Sequence, residues 1–246
     1  MTTDVRPPSR RTAFVAGLGA GAALALSGCA RGQGRQAKGA AAPGDEEVTA
    51  TEDLMREHGV LRRILIVYRE TAPVLRTAPG QLDAAALAQA ADLFRTFGED
   101  YHERKVEEAI IFPALQKAGG QAGGLVATLL LQHARGREIT AFIQAKCAPG
   151  KIAAADAEPL ARVLDSFARM YEAHTAWEDT VAFPAWKKAM PKEAFDEMGD
   201  RFEAIERETF KGDGFDMALD RVSGIEQRLG LHDLARFTAP PAALNS

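Results

Sequence analysis

His174 and Glu178 lie in the stretch His174-Thr175-Ala176-Trp177-Glu178-Asp179, which runs on into Phe183-Pro184. On a helix, side chains four residues apart sit ~40° apart around the axis and point the same way. Apolar residues Leu160, Leu164, Phe167 and Tyr171 precede the pair and Val181 and Ala185 follow it, in steps that place both polar groups on the same inward face. A carboxylate buried there is costly unless charge or hydrogen bonds compensate. A metal ion supplies both. For one isolated motif of this kind, a buried His–Glu hydrogen-bonded pair is the alternative.

The motif has an echo. Tyr101-His102-Glu103-Arg104-Lys105-Val106-Glu107-Glu108 also runs into an aromatic–proline pair, Phe112-Pro113. Aligned from the prolines, Glu107 matches Glu178, Glu108 matches Asp179 and Ala114 matches Ala185. Two helices carrying the same inward acid at the same register are what a dinuclear site between paired helices requires.

Four elements must position these groups. The first opens at Thr49-Ala50-Thr51-Glu52, which fits a capping box, and carries His58 on the same face as Leu54, Leu61 and Leu65. Pro79-Gly80 ends it. The second runs over 83–118 with an inward series of Leu87, Ala91, Phe94, Gly98 and His102, resuming at Glu107. A five-residue step leaves His102 and Glu107 ~140° apart on a regular helix, too far to share one site. A one-residue π-bulge realigns them; alternatively Glu103, four before Glu107, points inward instead. The third helix covers 125–147, with His133 on the series Val126, Leu129, Gly136, Thr140, and with Arg137 four residues after the histidine. The fourth, 156–190, carries the opening motif. Two further helices are expected over 192–211 and 215–229, broken at Gly212-Asp213-Gly214. His232 precedes a proline-rich tail with no carboxylate at helical spacing and reads as structural or exposed.

Composition bounds the function classes. The chain has 246 residues, 46% apolar and 26% charged, and a net charge of -4, which offers no polybasic argument for nucleic acid. Its two cysteines, Cys29 and Cys147, lie in different contexts and do not read as a disulfide. Ser9-Arg10-Arg11-Thr12-Ala13-Phe14 is a twin-arginine pattern, and the apolar run 13–26 is short for a permanent membrane span. The run ends in Leu26-Ser27-Gly28-Cys29, which resembles a bacterial lipobox with Cys29 as the lipidated residue. The organisation expected is a signal over 1–29, a flexible tether over 30–47, a helical bundle over 48–190 and a helical extension over 191–246. The signal implies export and a lipid anchor at the cell envelope.

The motif pair, with one histidine on each of four helices, resembles the hemerythrin and HHE cation-binding family over about residues 50–190. The residues that carry it are His58, His102 with Glu107, His133, and His174 with Glu178. Imidazole and carboxylate without thiolate suit iron or manganese, with zinc possible by affinity. The resemblance implies an all-α, up-down-up-down four-helix bundle that holds two irons. His102 and His174 would be terminal ligands, His58 and His133 would come from the other two helices, Glu107 and Glu178 would be the bridges, and dioxygen or a related small diatomic or peroxide the ligand. Oxygen-carrying members place a second histidine where Arg137 stands here. The His102-Glu103 pair resembles iron-sensing members, in which the additional glutamate supplies the missing ligand. Three functions follow: a diiron protein that binds or reacts with dioxygen, a diiron oxidoreductase acting on peroxide or nitric oxide, or an iron-holding structural lipoprotein.

Overall fold

The computed structural model describes residues 48–241, so the twin-arginine pattern, Cys29 and the tether lie outside the described residues. The chain divides into two units, Met1–Thr49 and Ala50–Ser246. The described helices all lie in the second.

Among its described residues this unit is all-helical and carries six successive helices. Helix α1 spans Ala50–Thr77. Helix α2 covers residues 84–118 as three continuous parts: α-helical Ala84–Leu93, π-helical Phe94–Ile111 and α-helical Phe112–Ala118. Helix α3 is Gly120–Cys147. Helix α4 repeats the build of α2, with Ala154–Trp177 α-helical, Glu178–Ala182 π-helical and Phe183–Lys188 α-helical. Helices α5 (Lys192–Phe210) and α6 (Gly214–Leu229) complete the order.

Local chemistry sets these boundaries. Asp83 caps α2 by accepting from the Ala86 amide, and Asp213 caps α6 by accepting from the Asp216 amide. Between α2 and α3 the chain turns through Gly119 and Gly120, both at positive φ (73° and 67°), a region that side-chain-bearing residues rarely adopt. Helix α3 therefore starts at Gly120, earlier than the 125 expected from its apolar series. The π-helical segment of α2 absorbs the five-residue step, and His102 and Glu107 are both buried.

The core lies where α1 packs along α4 and α2 along α3. Tyr68, Phe94, Phe167 and Tyr171 form a buried aromatic group with ring centroids 4.7–5.5 Å apart. The two C-terminal helices join the same core. Phe202 stacks on Trp186 of α4 at 5.6 Å, and Phe210 meets Tyr101 of α2 at 5.3 Å. Arg63 of α1 pairs with Glu226 of α6 through both carboxylate oxygens. Among the described residues no helix is long and apolar enough to cross a membrane.

Candidate metal centre

His58, His102, His133 and His174 come from α1, α2, α3 and α4 and converge in pairs. His58 Nε2 lies 3.0 Å from His102 Nε2, and His133 Nε2 lies 3.1 Å from His174 Nε2. Each carboxylate of the two motifs spans both pairs. Glu107 Oε1 is 3.4 Å from His102 Nε2 while its Oε2 is 3.4 Å from His133 Nε2. Glu178 Oε2 is 3.0 Å from His174 Nε2 and 3.5 Å from His58 Nε2. All six side chains are buried. Glu107, His133, His174 and Glu178 form one group of closely spaced donor atoms, and His58, His102 and Glu107 form another.

Every histidine is tethered from its outer edge. His58 Nδ1 is 2.7 Å from Asp179 Oδ1, His102 Nδ1 is 2.5 Å from Glu57 Oε2, His133 Nδ1 is 2.8 Å from Glu108 Oε1, and His174 Nδ1 is 2.9 Å from Gln132 Oε1. All four acceptors are oxygens, so each Nδ1–H donates outward and leaves Nε2 facing the cluster. Phe183 stacks on His58 at 5.3 Å and Phe112 on His133 at 5.4 Å, which holds the ring planes.

The contacts obey a two-fold pattern that exchanges α1 with α3 and α2 with α4. His58 corresponds to His133, His102 to His174, Glu107 to Glu178, Glu108 to Asp179 and Phe112 to Phe183. The pattern includes Arg137. Four residues after His58 stands Arg62, which pairs with Asp179, just as Arg137 pairs with Glu108. Two positions break the symmetry: Glu57 is matched by Gln132, and Glu103 by Thr175.

Glu103 meets the cluster differently from the other six sequence-derived site residues, at the outer edge of His133. It is buried, but its Oε1 accepts from the Tyr171 hydroxyl at 2.6 Å and its Oε2 from Arg137 at 2.9 Å. It faces the Nδ1 edge of His133, at 3.9 Å, and groups with Glu108 and His133. Gly136 permits this arrangement, since a Cβ there would lie 2.2 Å from the Tyr171 hydroxyl. His232 is exposed, and Cys147 is buried as a free thiol with its pKa pushed up to about 11 by burial.

Electrostatics expose an excess of negative charge. Burial pushes His102 down, but Glu107 and Glu57 outweigh it and hold the ring well above its ordinary range. His133, pushed down by burial, is brought up to about 10 by Glu103, Glu107 and Glu108. His174 is lowered to about 3 by burial and by the charge of His133. Burial, then repulsion from Glu107, raises the Glu178 carboxyl well above its usual range.

The fit to a metal is tested by the carboxylates. Neither oxygen of Glu107 or Glu178 receives a hydrogen bond although both residues are fully buried. Buried carboxylate oxygens left this way are costly, and a cation bound between the histidine pairs satisfies them. Buried His and Glu groups here could hold a metal ion.

The sequence did not reveal the four outer tethers. Glu108 and Asp179 were visible as aligned acids after Glu107 and Glu178, without a role. Glu57 and Gln132 carried a weaker signal: each directly precedes a cluster histidine, yet each serves the histidine of the next helix.

Fold and site together define an all-helical protein with a buried His/Glu cluster able to hold metal. No protein-family model and no solved structure matches the chain. It is 39% identical over 239 residues to an uncharacterized protein of Mycobacterium tuberculosis, the match covering 94% of this chain and 92% of that one. An uncharacterized protein of Mycobacterium bovis matches equally, at 39% identity and the same coverage. The chain belongs to the family that these proteins represent.

Proposed function

We propose that the protein is a non-heme dinuclear iron protein of hemerythrin-like build, which binds or reacts with dioxygen or a related small oxidant. In this reading α1–α4 form an up-down-up-down four-helix bundle and α5–α6 its extension. His58 and His102 would hold one ion and His133 and His174 the other, with Glu107 and Glu178 within reach of both. The single observation that carries the reading is the pair of Nε2···Nε2 contacts spanned by two carboxylates without hydrogen bonds.

Imidazole nitrogens and carboxylate oxygens without thiolate suit iron or manganese, with zinc possible by affinity. When bound, two irons would supply one-electron chemistry and open positions for a small ligand. The chain's own residues fix the imidazoles, exclude bulk water and keep the bridging acids buried.

The export reading places this chemistry at the cell envelope, on a lipid anchor at Cys29. The functional test is an absorption spectrum of the iron-loaded protein. Charge-transfer bands that appear with air and vanish under argon support the proposal. A colourless, air-indifferent iron protein overturns it in favour of a structural metal.

A further inference from the structure

The two-fold pattern of the centre extends to the helices around it, and there the two halves differ in cover. On one side α5 and α6 lie over the seam between α1 and α2. The Arg56 guanidinium sits 4.5 Å over the Phe215 ring, Tyr101 meets Phe210 at 5.3 Å, and Lys105 bonds Thr209 at 2.9 Å. The counterparts of this seam on α3 and α4 are bare. Leu131 stands two residues before His133, as Arg56 stands before His58, and it is 65% exposed. Trp177 directly precedes Glu178 as Val106 precedes Glu107, yet Val106 is fully buried and Trp177 is 47% exposed. Tyr101, buried beside His102, is matched by the exposed Ala173 beside His174.

The bare seam is also without charge. From Ala118 to Ala134 no Asp, Glu, Lys or Arg occurs, in a chain that is 26% charged. On α4 the exposed positions Ala173, Ala176, Trp177, Thr180 and Pro184 are uncharged as well. Two cavities follow one another along the seam, one of about 170 Å³ between Leu125 and Trp177 and one of about 570 Å³ between Gly120 and Val181. A half-exposed tryptophan in an uncharged surface is what the centre of a protein–protein contact carries, where Trp is enriched and charge is depleted.

We propose that the α3–α4 seam is a docking surface for a second copy of this chain, related to the first by a two-fold axis. In such a contact one patch meets itself, so any charge near its middle would face a like charge. The uncharged seam meets that condition. A nucleic acid or an anionic membrane would call for lysine and arginine, which the seam lacks. Its ends fit the same arrangement. The Arg135–Glu138 ion pair closes one end and Lys188 lies at the other, so an antiparallel two-fold sets Lys188 of each copy beside that ion pair of the other. The stretch 120–134 of α3 is ~22 Å long and the two helices together are ~20 Å wide, a footprint of about 440 Å² in projection. That is at the small end of specific interfaces, so the dimer is reversible and forms with rising concentration.

The test uses the full chain carrying Cys29→Ser, so that no lipid drives association, in sedimentation velocity from about 1 to 200 µM. The sedimentation coefficient should rise with concentration from monomer to dimer. Leu131→Glu on α3 and Thr180→Glu on α4 each place a charge at an exposed position of the seam. Both should weaken association by roughly tenfold or more, since like charges then face each other, while helical circular dichroism and metal content stay at the values of the parent chain. Met217→Glu, exposed on α6, should leave association unchanged. A chain that stays monomeric over the whole range overturns the proposal. So does association that survives both seam variants, or that Met217→Glu weakens equally. Flotation with neutral phosphatidylcholine vesicles adds a lipid arm: a monomeric chain whose vesicle binding is lost in Leu131→Glu assigns the face to lipid and overturns the second copy.

Discussion

Glu57 and Gln132 occupy equivalent places in the two halves of the cluster: each precedes a histidine and accepts a hydrogen bond from the histidine of the next helix, His102 at 2.5 Å and His174 at 2.9 Å. One is a carboxylate and the other a neutral amide. Glu57 is further fixed by the Tyr101 hydroxyl, which donates to its Oε1 at 3.1 Å, and Tyr101 packs against Phe210 of the C-terminal extension. The extension thus supports one half of the centre and not, by this contact, the other.

Exchanging the two groups should act in opposite directions. Glu57→Gln should weaken metal binding by about 10- to 100-fold, the usual cost of losing such a partner. Gln132→Glu should leave affinity unchanged or raise it. Competition titration against a chelator reads both, and equal losses in the two variants would contradict the asymmetry.

The Tyr171–Glu103 contact depends on Gly136, because a Cβ would sit 2.2 Å from the hydroxyl of a fully buried ring. Gly136→Ala should destabilise the metal-free protein by about 1–3 kcal/mol in chemical denaturation. Gly59→Ala meets nothing within 4 Å and lies inside α1, so it should stabilise by ~0.5–1 kcal/mol. Identical signs for the two changes would show that packing at Tyr171 is not tight.

Stability should carry a pH signature from Glu99. Burial, with the nearby Glu103 charge, raises this carboxyl to about 7, against the lowering effects of Thr140 and Arg95. A raised carboxyl binds its proton more tightly folded than unfolded, so its contribution is fully present below pH 4.5 and is lost as the pH rises through about 7. The loss is on the order of 3 kcal/mol across that window. Glu99→Gln should flatten the dependence and gain relative stability at pH 8. Denaturant melts of the metal-free protein at several pH values decide it, and parallel curves for the two proteins would contradict it.

The π-helical segment of α2 makes a separate prediction. Lys105 is exposed on this segment and bonds Thr209 at 2.9 Å. Deleting it leaves His102 four residues before Glu107, the spacing of His174 and Glu178, so a regular helix should keep both in the cluster while Glu103 turns away from Tyr171 and Arg137. Metal affinity should fall by less than roughly tenfold, the lower end of the cost of losing an outer partner. A much larger loss would mean that the wide segment itself, and not the register it restores, sets the site.

Much of this was legible in the sequence because it rests on helical periodicity. His58, His102, His133 and His174 sit on the same rows as apolar residues that are themselves buried, so burial of one predicts burial of the other. The echo of Glu107 and Glu178 from their prolines exposed the correspondence of α2 with α4. The five-residue step after His102 marked the π-helical segment, whereas Glu178–Ala182 gave no such mark because its histidine and acid are already four apart. Glu103 shows the limit. Its register places it inside, but periodicity says nothing of Tyr171 and Arg137 crossing from α4 and α3 to bind it. The tethers Glu57 and Gln132 were hidden for the same reason, since each acts across a helix pair. The value of Arg137 was likewise invisible until Arg62 was seen in the equivalent place.

The central claim is that two metal ions occupy the two histidine pairs. The most direct measurement is metal stoichiometry, by plasma mass spectrometry, of the protein purified from its own host beside Glu178→Ala. Two irons per chain are predicted for the native protein, with at least one metal lost in Glu178→Ala while the helical spectrum is kept. A native chain without metal, or a variant that still holds two, would contradict it.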